Sequence, residues 1–125
     1  MKKKRRPERT VQADIFAQLG GRSDTRLFRN NRGVALHRDG SYVHYGLGNP
    51  GGSDFIGWHI IQVTPAMVGA RLAVFTAIEC KRPGKDPTDE QQNFIDQVQA
   101  AGGYAGAASS VSEALNILDF PDTEK

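Results

Sequence analysis

Hydrophobic residues recur at helical spacing in three stretches of the chain, and each stretch is bounded by residues that start or stop helices. The first stretch covers residues 8–19 and is followed by a pair of glycines. Thr88 with Gln91, and Ser110 with Glu113, form the capping-box pattern that begins the other two. The residues expected to face inward are Val11, Ile15 and Leu19 in the first helix, Phe94, Ile95 and Val98 in the second, and Val111, Leu115 and Leu118 in the third.

Between the first two helices the pattern changes to short strands separated by turn residues. The sequence Arg38-Asp39-Gly40-Ser41 contains the Asp-Gly pair typical of a tight hairpin. A strand, a helix and a strand over residues 73–108 predict one parallel pair with a right-handed crossover. This order indicates an α/β fold with a mixed central sheet flanked by helices. The predicted strands cover residues 27–30, 34–37, 42–45, 54–63, 73–81 and 104–108.

Length and composition favour one compact domain. With 125 residues, the chain has room for a single core. We expect a disordered basic tail at 1–7, the domain at 8–120 and a frayed end at 121–125. No apolar run approaches the roughly 20 residues that span a membrane, and no hydrophobic segment follows the charged N-terminus as in a secretory signal. One cysteine suits a reducing compartment, so a cytoplasmic location is expected.

The positive charge of the chain is unevenly distributed. Residues 2–6 are all lysine or arginine, and their combined positive charge is larger than the net charge of +2. The remainder of the chain is therefore mildly acidic. Five arginines nevertheless stand between residues 22 and 38, against only one acid. Because the guanidinium fork matches phosphate oxygens, this stretch favours contact with DNA over a merely solvated face. For the N-terminal tail the two interpretations are equally good.

The candidate chemistry lies at two strand ends. Asp54 closes the run Gly51-Gly52-Ser53-Asp54, and Glu79-Cys80-Lys81 ends the predicted strand 73–81. Glu79 and Lys81 project from the same face, since residues i and i+2 of a strand point the same way. Burying an acid and an amine at a core edge is costly without compensation. A divalent metal beside the two acids and a phosphate near the lysine would compensate, whereas the alternative is a purely structural salt bridge.

Hydrolysis of a phosphodiester gives each of these groups a role. Asp54 and Glu79 supply the hard oxygen ligands that suit Mg²⁺ or Mn²⁺, and the Cys80 backbone carbonyl could add a third. Lys81 would orient or deprotonate the attacking water, or neutralise charge on the phosphate. The Cys80 side chain faces the opposite side of the strand, where we expect a packed core thiol rather than a nucleophile.

Three blocks in this order and strand context resemble the PD-(D/E)XK nuclease superfamily and, more specifically, the VRR-NUC family. They are Phe28-Arg29-Asn30-Asn31-Arg32-Gly33, Gly52-Ser53-Asp54, and Glu79-Cys80-Lys81-Arg82-Pro83-Gly84-Lys85. The resemblance covers about residues 8–115. It implies a restriction-endonuclease-like core and a Mg²⁺- or Mn²⁺-dependent endonuclease that recognises DNA structure, including branched or Holliday-type junctions, often as a homodimer.

The resemblance adds two further candidates. It places an acid in the first helix that helps to hold metal, which corresponds to Glu8, with Gln12 one turn on as an alternate polar contact. Equally, Glu8 could simply favour the helix dipole. The family also places a glutamine near the active site at the position of Gln91, which we assign to the catalytic set despite its capping-box alternative. The residues expected to contact DNA are Arg29, Asn31, Arg32, Arg82 and Lys85.

A homodimer is expected because resolving a four-way junction requires two symmetric cuts. The contact would join the first helix to the 34–45 hairpin through Leu36, Tyr42 and Phe16. Two alternatives stay open: a nuclease-fold DNA-binding protein without catalysis, and a nuclease that acts on linear duplex or flap DNA. The literal G-x-G-x-x-G at 46–51 is not a dinucleotide site, because a strand rather than a helix follows it.

Overall fold

The computed structural model describes residues 5–119, which form a mixed α/β structure. Within this range, three α-helices and six short strands occur, and the strands pair into three two-stranded sheets. No helix in the described range is both long and apolar enough to cross a membrane. The elements are α1 (Glu8–Gly20), β1 (Thr25–Arg29), β2 (Gly33–Leu36), β3 (Tyr42–Tyr45), β4 (Phe55–His59), a 3-10 turn (Pro65–Met67), β5 (Thr76–Cys80), α2 (Asp89–Ala100), β6 (Tyr104–Ala108) and α3 (Val111–Ile117).

The described residues divide into two compact units. The first ends at Ile61 and contains α1 and β1 to β4, and the second begins at Gln62 and contains the remaining elements. The single domain expected over residues 8–120 stays a prediction. Most of the expected tail at 1–7, and all of the expected frayed end at 121–125, lie outside the described residues.

In the first unit, β1 and β4 form an antiparallel pair from Thr25 opposite His59 to Arg29 opposite Phe55. Helix α1 packs against β1, and the Phe16 ring stacks on Phe55 at 5.7 Å between centroids. The expected inward face of α1 is wrong, because Val11, Ile15 and Leu19 all remain about two-fifths exposed. No residue of α1 is fully buried: Phe16, which stacks on Phe55, is itself 37% exposed, and Gln12 is half-buried.

The hairpin of β2 and β3 confirms the prediction from the Asp-Gly pair. The strands are antiparallel from Gly33 opposite Tyr45 to Leu36 opposite Tyr42. Gly40 has a φ of 88°, a left-handed conformation that glycine adopts without strain. The Asp39 carboxylate accepts hydrogen bonds from the backbone N–H and the hydroxyl of Ser41, which closes the turn.

In the second unit, β5 and β6 form the predicted parallel pair, with Thr76 opposite Tyr104 and Cys80 opposite Ala108. Helix α2 connects and covers them, and it buries Ile95 and Val98 while Phe94 stays more than one-third exposed. The strands β1 with β4, β2 with β3, and β5 with β6 pair only two by two in the described structure.

The strand predicted over 73–81 is shorter and less buried than expected. It extends only over Thr76–Cys80, and Ile78 is 40% exposed. Cys80 is also exposed, so the expected core thiol is wrong. The reason is that α2 covers the face of β5 that carries Ala77 and Glu79, which leaves the side chains of the alternate positions toward solvent. The strand predicted from Asp54 to Val63 likewise ends at His59.

The last helix is rotated relative to its predicted inward face. Val111, Leu115 and Leu118 are exposed, whereas Ile117 packs against Gly106 of β6, where an added Cβ would lie 3.0 Å from the Ile117 side chain. Ser110 caps the helix by accepting a hydrogen bond from the Glu113 backbone N–H, as predicted. The Glu113 carboxylate accepts from the Ser109 hydroxyl, so the reciprocal half of that capping box is absent.

Candidate active site

Asp54 directly precedes β4, and α1 provides its side-chain partner. The Gln12 amide nitrogen lies 3.3 Å from Asp54 Oδ2 and 3.4 Å from Glu8 Oε1, and it donates to both carboxylates. One amide therefore brings together the two acids that the sequence analysis assigned to metal binding in this part of the chain. Gln12 sits between them because residues 8 and 12 lie one turn apart on the same face of α1.

The backbone around Asp54 is fixed by a residue that the sequence analysis did not assign to the site. The Asn30 backbone N–H donates to the Asp54 carbonyl at 2.8 Å. Its side-chain amide donates to the carbonyls of Leu47 and Ser53 and accepts from the Leu47 N–H. The only sequence signal for this role is the position of Asn30 directly after β1, within the block that resembles the VRR-NUC family.

The glycine-rich run before Asp54 is a tightly folded loop. Gly46, Gly48 and Gly51 have φ values between 75° and 91°. A Cβ on Gly52 would lie 2.0 Å from the Leu47 carbonyl oxygen, so only glycine allows the loop to close on itself here. The fixation of this loop by Asn30 was not predicted from the sequence.

In the second unit, Glu79 and Lys81 lie on the same side of β5, as the i and i+2 spacing predicted. Lys81 Nζ lies 3.9 Å from Glu79 Oε1, which makes an ion pair but is too long for a hydrogen bond. The Lys81 side chain is only 16% exposed and that of Glu79 36%. The ammonium group of this largely buried side chain thus has one carboxylate beside it and retains its capacity to donate hydrogen bonds.

Gln91 combines the two roles that the sequence left open. Its side-chain nitrogen donates to Glu79 Oε1 at 2.9 Å, and its side-chain oxygen accepts from the Thr88 backbone N–H at 2.9 Å. The Thr88 hydroxyl completes the capping box by accepting from the Gln91 N–H. The helix cap therefore holds the glutamine that orients Glu79. These groups border an open pocket of about 320 Å³ lined by Ala77, Ile78, Glu79, Glu90, Gln91, Phe94 and Ile95.

The arginines expected to contact DNA differ in their surroundings. The Arg29 guanidinium lies over the rings of Phe16 and Phe55, at 5.2 and 5.7 Å from their centroids. The Arg32 side chain packs against the glycine loop, where it would collide with a Cβ on Gly46 or Gly52. Its Nε atom is buried without a hydrogen-bond partner among the described residues. Neither arginine is paired with a carboxylate in the described range, so both keep a charge that a phosphate can neutralise.

The remaining residues expected to contact DNA are exposed. Asn31 is the second residue after β1, and its carbonyl oxygen would lie 2.5 Å from a Cβ on Gly46. Arg82 and Lys85 flank a turn that is closed by a hydrogen bond from the Lys85 N–H to the Arg82 carbonyl at 3.1 Å. The turn presents both cations shortly after Lys81.

One arginine of the basic stretch has a different role. Arg22 donates two hydrogen bonds of 2.9 Å to the two Asp24 carboxylate oxygens. These bonds, together with one from the Thr25 hydroxyl, hold the pKa of Asp24 well below its ordinary value. Arg22 is thus engaged within the protein.

The donor atoms at these positions fit a hard divalent cation. Glu8, Asp54 and Glu79 offer carboxylate oxygens, which Mg²⁺ and Mn²⁺ prefer. Glu8 and Asp54 converge on one amide, whereas Glu79 belongs to the other compact unit. Among residues 5–119, no group of three or more His, Cys, Asp or Glu side chains is arranged to hold a metal ion. The metal role of the Cys80 carbonyl stays a prediction.

The chain matches no protein-family model, no curated protein and no solved structure in the three comparisons. The resemblance to the VRR-NUC family therefore depends on the sequence blocks described above.

Proposed function

We propose that the protein is a metal-dependent, structure-selective DNA endonuclease of the PD-(D/E)XK type. The observation that carries this proposal is the arrangement of Glu79, Lys81 and Gln91. A carboxylate and a largely buried lysine side chain project to the same side at the end of β5, and a glutamine from the capped end of α2 orients the carboxylate. A salt bridge formed only for stability would not need a glutamine bonded to its carboxylate. The capping box explains the bond of Gln91 to Thr88 but not its bond to Glu79.

The proposed reaction is hydrolysis of a phosphodiester bond. A bound Mg²⁺ or Mn²⁺ would supply Lewis-acid chemistry at the phosphate. Asp54, with Glu8 as a further carboxylate, and Glu79 are the proposed metal ligands, and Gln12 and Gln91 keep the Asp54 and Glu79 carboxylates oriented. Lys81 would orient or deprotonate the attacking water, or neutralise charge that develops on the phosphate. The fold we propose is a restriction-endonuclease-like core with a mixed central sheet.

The unpaired cations support DNA as the substrate. Arg32 packs against the loop that leads to Asp54, Arg29 lies opposite Phe55, and Arg82 and Lys85 follow Lys81 closely. A guanidinium group without a carboxylate partner can bind a phosphate without first breaking an ion pair within the protein. We propose branched DNA, including four-way junctions, as the preferred substrate.

A cleavage panel tests this function. Purified protein is incubated with linear duplex, nicked, flap and four-way junction DNA, with Mg²⁺, with Mn²⁺ and with EDTA. We expect metal-dependent cleavage that is fastest on the junction, and we expect Lys81→Ala to abolish it while retaining Mn²⁺ binding. Asp54→Ala and Glu79→Ala should lose both. DNA binding without cleavage by the wild-type protein would indicate the non-catalytic alternative, and preference for duplex or flap would replace the junction assignment.

The proposed junction activity also requires two active sites. We propose a symmetric homodimer in which α1 meets the β2–β3 hairpin. Leu36 and Tyr42 are 66% and 72% exposed, and Phe16 is 37% exposed, so all three offer apolar area. Sedimentation at micromolar concentration should give twice the monomer mass, and Leu36→Glu should halve it. Val68→Glu, at a site that is 87% exposed in the other unit, is the control. A strict monomer that nicks DNA would remove the junction-resolving role.

A further inference from the structure

We infer that Asn30 is a positioning residue, which sets the place of Asp54 by joining the glycine loop to the end of β1. This inference rests on the proposed function, in which Asp54 is a metal ligand. Asn30 itself touches neither Asp54 side-chain oxygen; its contacts are all with backbone.

The side chain of Asn30 uses its hydrogen-bonding capacity almost fully. Both hydrogens of its amide are donated, one to the Leu47 carbonyl at 2.8 Å and one to the Ser53 carbonyl at 2.9 Å. Its oxygen accepts from the Leu47 N–H at 2.8 Å. Only a primary amide presents two donors and an acceptor at this distance from the backbone. Aspartate is isosteric but would place an oxygen against two carbonyl oxygens.

These bonds fix both ends of the loop. Leu47 lies at its beginning and Ser53 at its end, directly before Asp54. The Asn30 backbone N–H then binds the Asp54 carbonyl, which extends the ladder of β1 and β4 by one residue. The backbone on both sides of the Asp54 Cα is thereby fixed to one residue, while Gln12 holds the carboxylate. A loop with three left-handed glycines needs such a clamp, because glycine gains much conformational freedom when it is released.

The sharpest variants are Asn30→Ala, which removes all three side-chain bonds, and Asn30→Asp, which keeps the shape. Asn49→Ala is the matched control, because Asn49 also bonds within the loop, to the Tyr45 carbonyl at 2.7 Å, but not to Ser53. Mn²⁺ affinity is measured by calorimetry, and DNA affinity and single-turnover cleavage are measured on the same four-way junction.

We expect both Asn30 variants to lose about 10- to 100-fold in Mn²⁺ affinity and cleavage rate, the range typical of residues that orient metal ligands. DNA affinity without metal should stay unchanged, and Asn49→Ala should behave like wild type. Asn30→Asp distinguishes positioning from simple attraction, since an added negative charge alone would raise Mn²⁺ affinity. Folded Asn30 variants with wild-type affinity and rate would overturn the inference.

Amide exchange in the metal-free protein separates this inference from the proposed function. If Asn30 holds the loop, its replacement by alanine should speed exchange of the Leu47 amide at least tenfold and shift the Asp54 backbone resonances. Wild-type protein that neither binds Mn²⁺ nor cleaves DNA would refute the proposed function, even with this clamp confirmed. Unchanged exchange and unchanged Asp54 resonances in Asn30→Ala would refute the clamp, even in an active nuclease.

Discussion

At the scale of single residues, each candidate carboxylate accepts a hydrogen bond from a glutamine on a helix. Gln12 of α1 bonds to Asp54, and Gln91 of α2 bonds to Glu79. A neutral amide orients a carboxylate without cancelling its charge, so the acid stays available to a cation. Lysine or arginine in the same places would compete with a metal for the carboxylate.

Gln91→Ala separates the orienting role of this residue from its capping role. We expect a loss of about 10- to 100-fold in Mn²⁺ affinity, because Glu79 would lose the partner that orients it. Thr88→Ala is the matched control: it removes the hydroxyl of the capping box but leaves the Gln91 side chain present. Both variants should lower the free energy of unfolding, Thr88→Ala by about 1 kcal/mol. Equal Mn²⁺ affinities in the two variants would show that Gln91 only caps α2.

Asp24 makes stability depend on pH. Its hydrogen bonds from Arg22 and Thr25 lower its pKa in the folded protein, so the pair stabilises the fold above the ordinary aspartate pKa of about 3.9. That contribution should be lost progressively as pH falls below this value. Urea unfolding from pH 7 to pH 2 should therefore show Asp24→Asn less stable than wild type at neutral pH, with the two converging in acid. Arg22→Gln should reproduce this curve, and a constant difference across the range would contradict the assignment.

At the scale of elements, α3 shows that a helix can be predicted correctly while its packed face is not. Ser110 starts α3 so that Ile117 contacts Gly106, while Val111 stays 77% exposed. The hydrophobic pattern alone suggested the opposite face, because Val111, Leu115 and Leu118 also have helical spacing. The pattern identified the helix correctly but not the side that packs.

Ile117→Ala and Val111→Ala compare the two faces of α3 directly. The first removes a side chain packed on β6, so we expect a loss of roughly 1–3 kcal/mol in the free energy of unfolding. The second removes an exposed side chain and should cost less than about 0.5 kcal/mol. Chemical denaturation of both variants under identical conditions decides the comparison. A larger loss for Val111→Ala would mean that the other face is the packed one.

The sequence predicted those features that short-range chemistry determines. The hairpin turn at Asp39-Gly40, the cap formed by Thr88 and Gln91, and the parallel pairing of β5 with β6 are all confirmed. Burial was harder to predict, because it depends on which elements cover a face. Cys80 was expected in the core and is exposed, since α2 covers only the opposite side of β5. The side chain of Asn30 bonds to Leu47 and Ser53, which lie 17 and 23 positions further along the chain. No local pattern reveals contacts over such a separation.

At the scale of the whole molecule, the basic stretch divides into paired and unpaired arginines. Arg22 donates hydrogen bonds to both carboxylate oxygens of Asp24. Arg29 instead lies over aromatic rings and Arg32 packs against the glycine loop, and neither has a carboxylate partner in the described range. Net charge alone could not make this distinction. We therefore expect the DNA surface to include the latter two and to exclude Arg22.

Salt dependence tests this division. Replacing Arg29 and Arg32 by glutamine should reduce the slope of log affinity against log salt by about 0.9 for each phosphate that the protein no longer neutralises, or roughly two in total. Arg22→Gln is the control with the same chemical change, and its slope should equal that of wild type. Fluorescence anisotropy with labelled junction DNA across a salt series gives all three slopes. An unchanged slope in the double variant would mean that these arginines only form a solvated face.

The central claim is the proposal that the protein cleaves DNA with a metal ion and that Lys81 acts on the attacking water or the phosphate. Single-turnover cleavage of four-way junction DNA by wild type and Lys81→Ala, in Mg²⁺, in Mn²⁺ and in EDTA, tests it most directly. Wild type should cleave only with metal, and Lys81→Ala should not cleave although it binds Mn²⁺ like wild type. Full cleavage by Lys81→Ala, or cleavage by wild type in EDTA, would contradict the account.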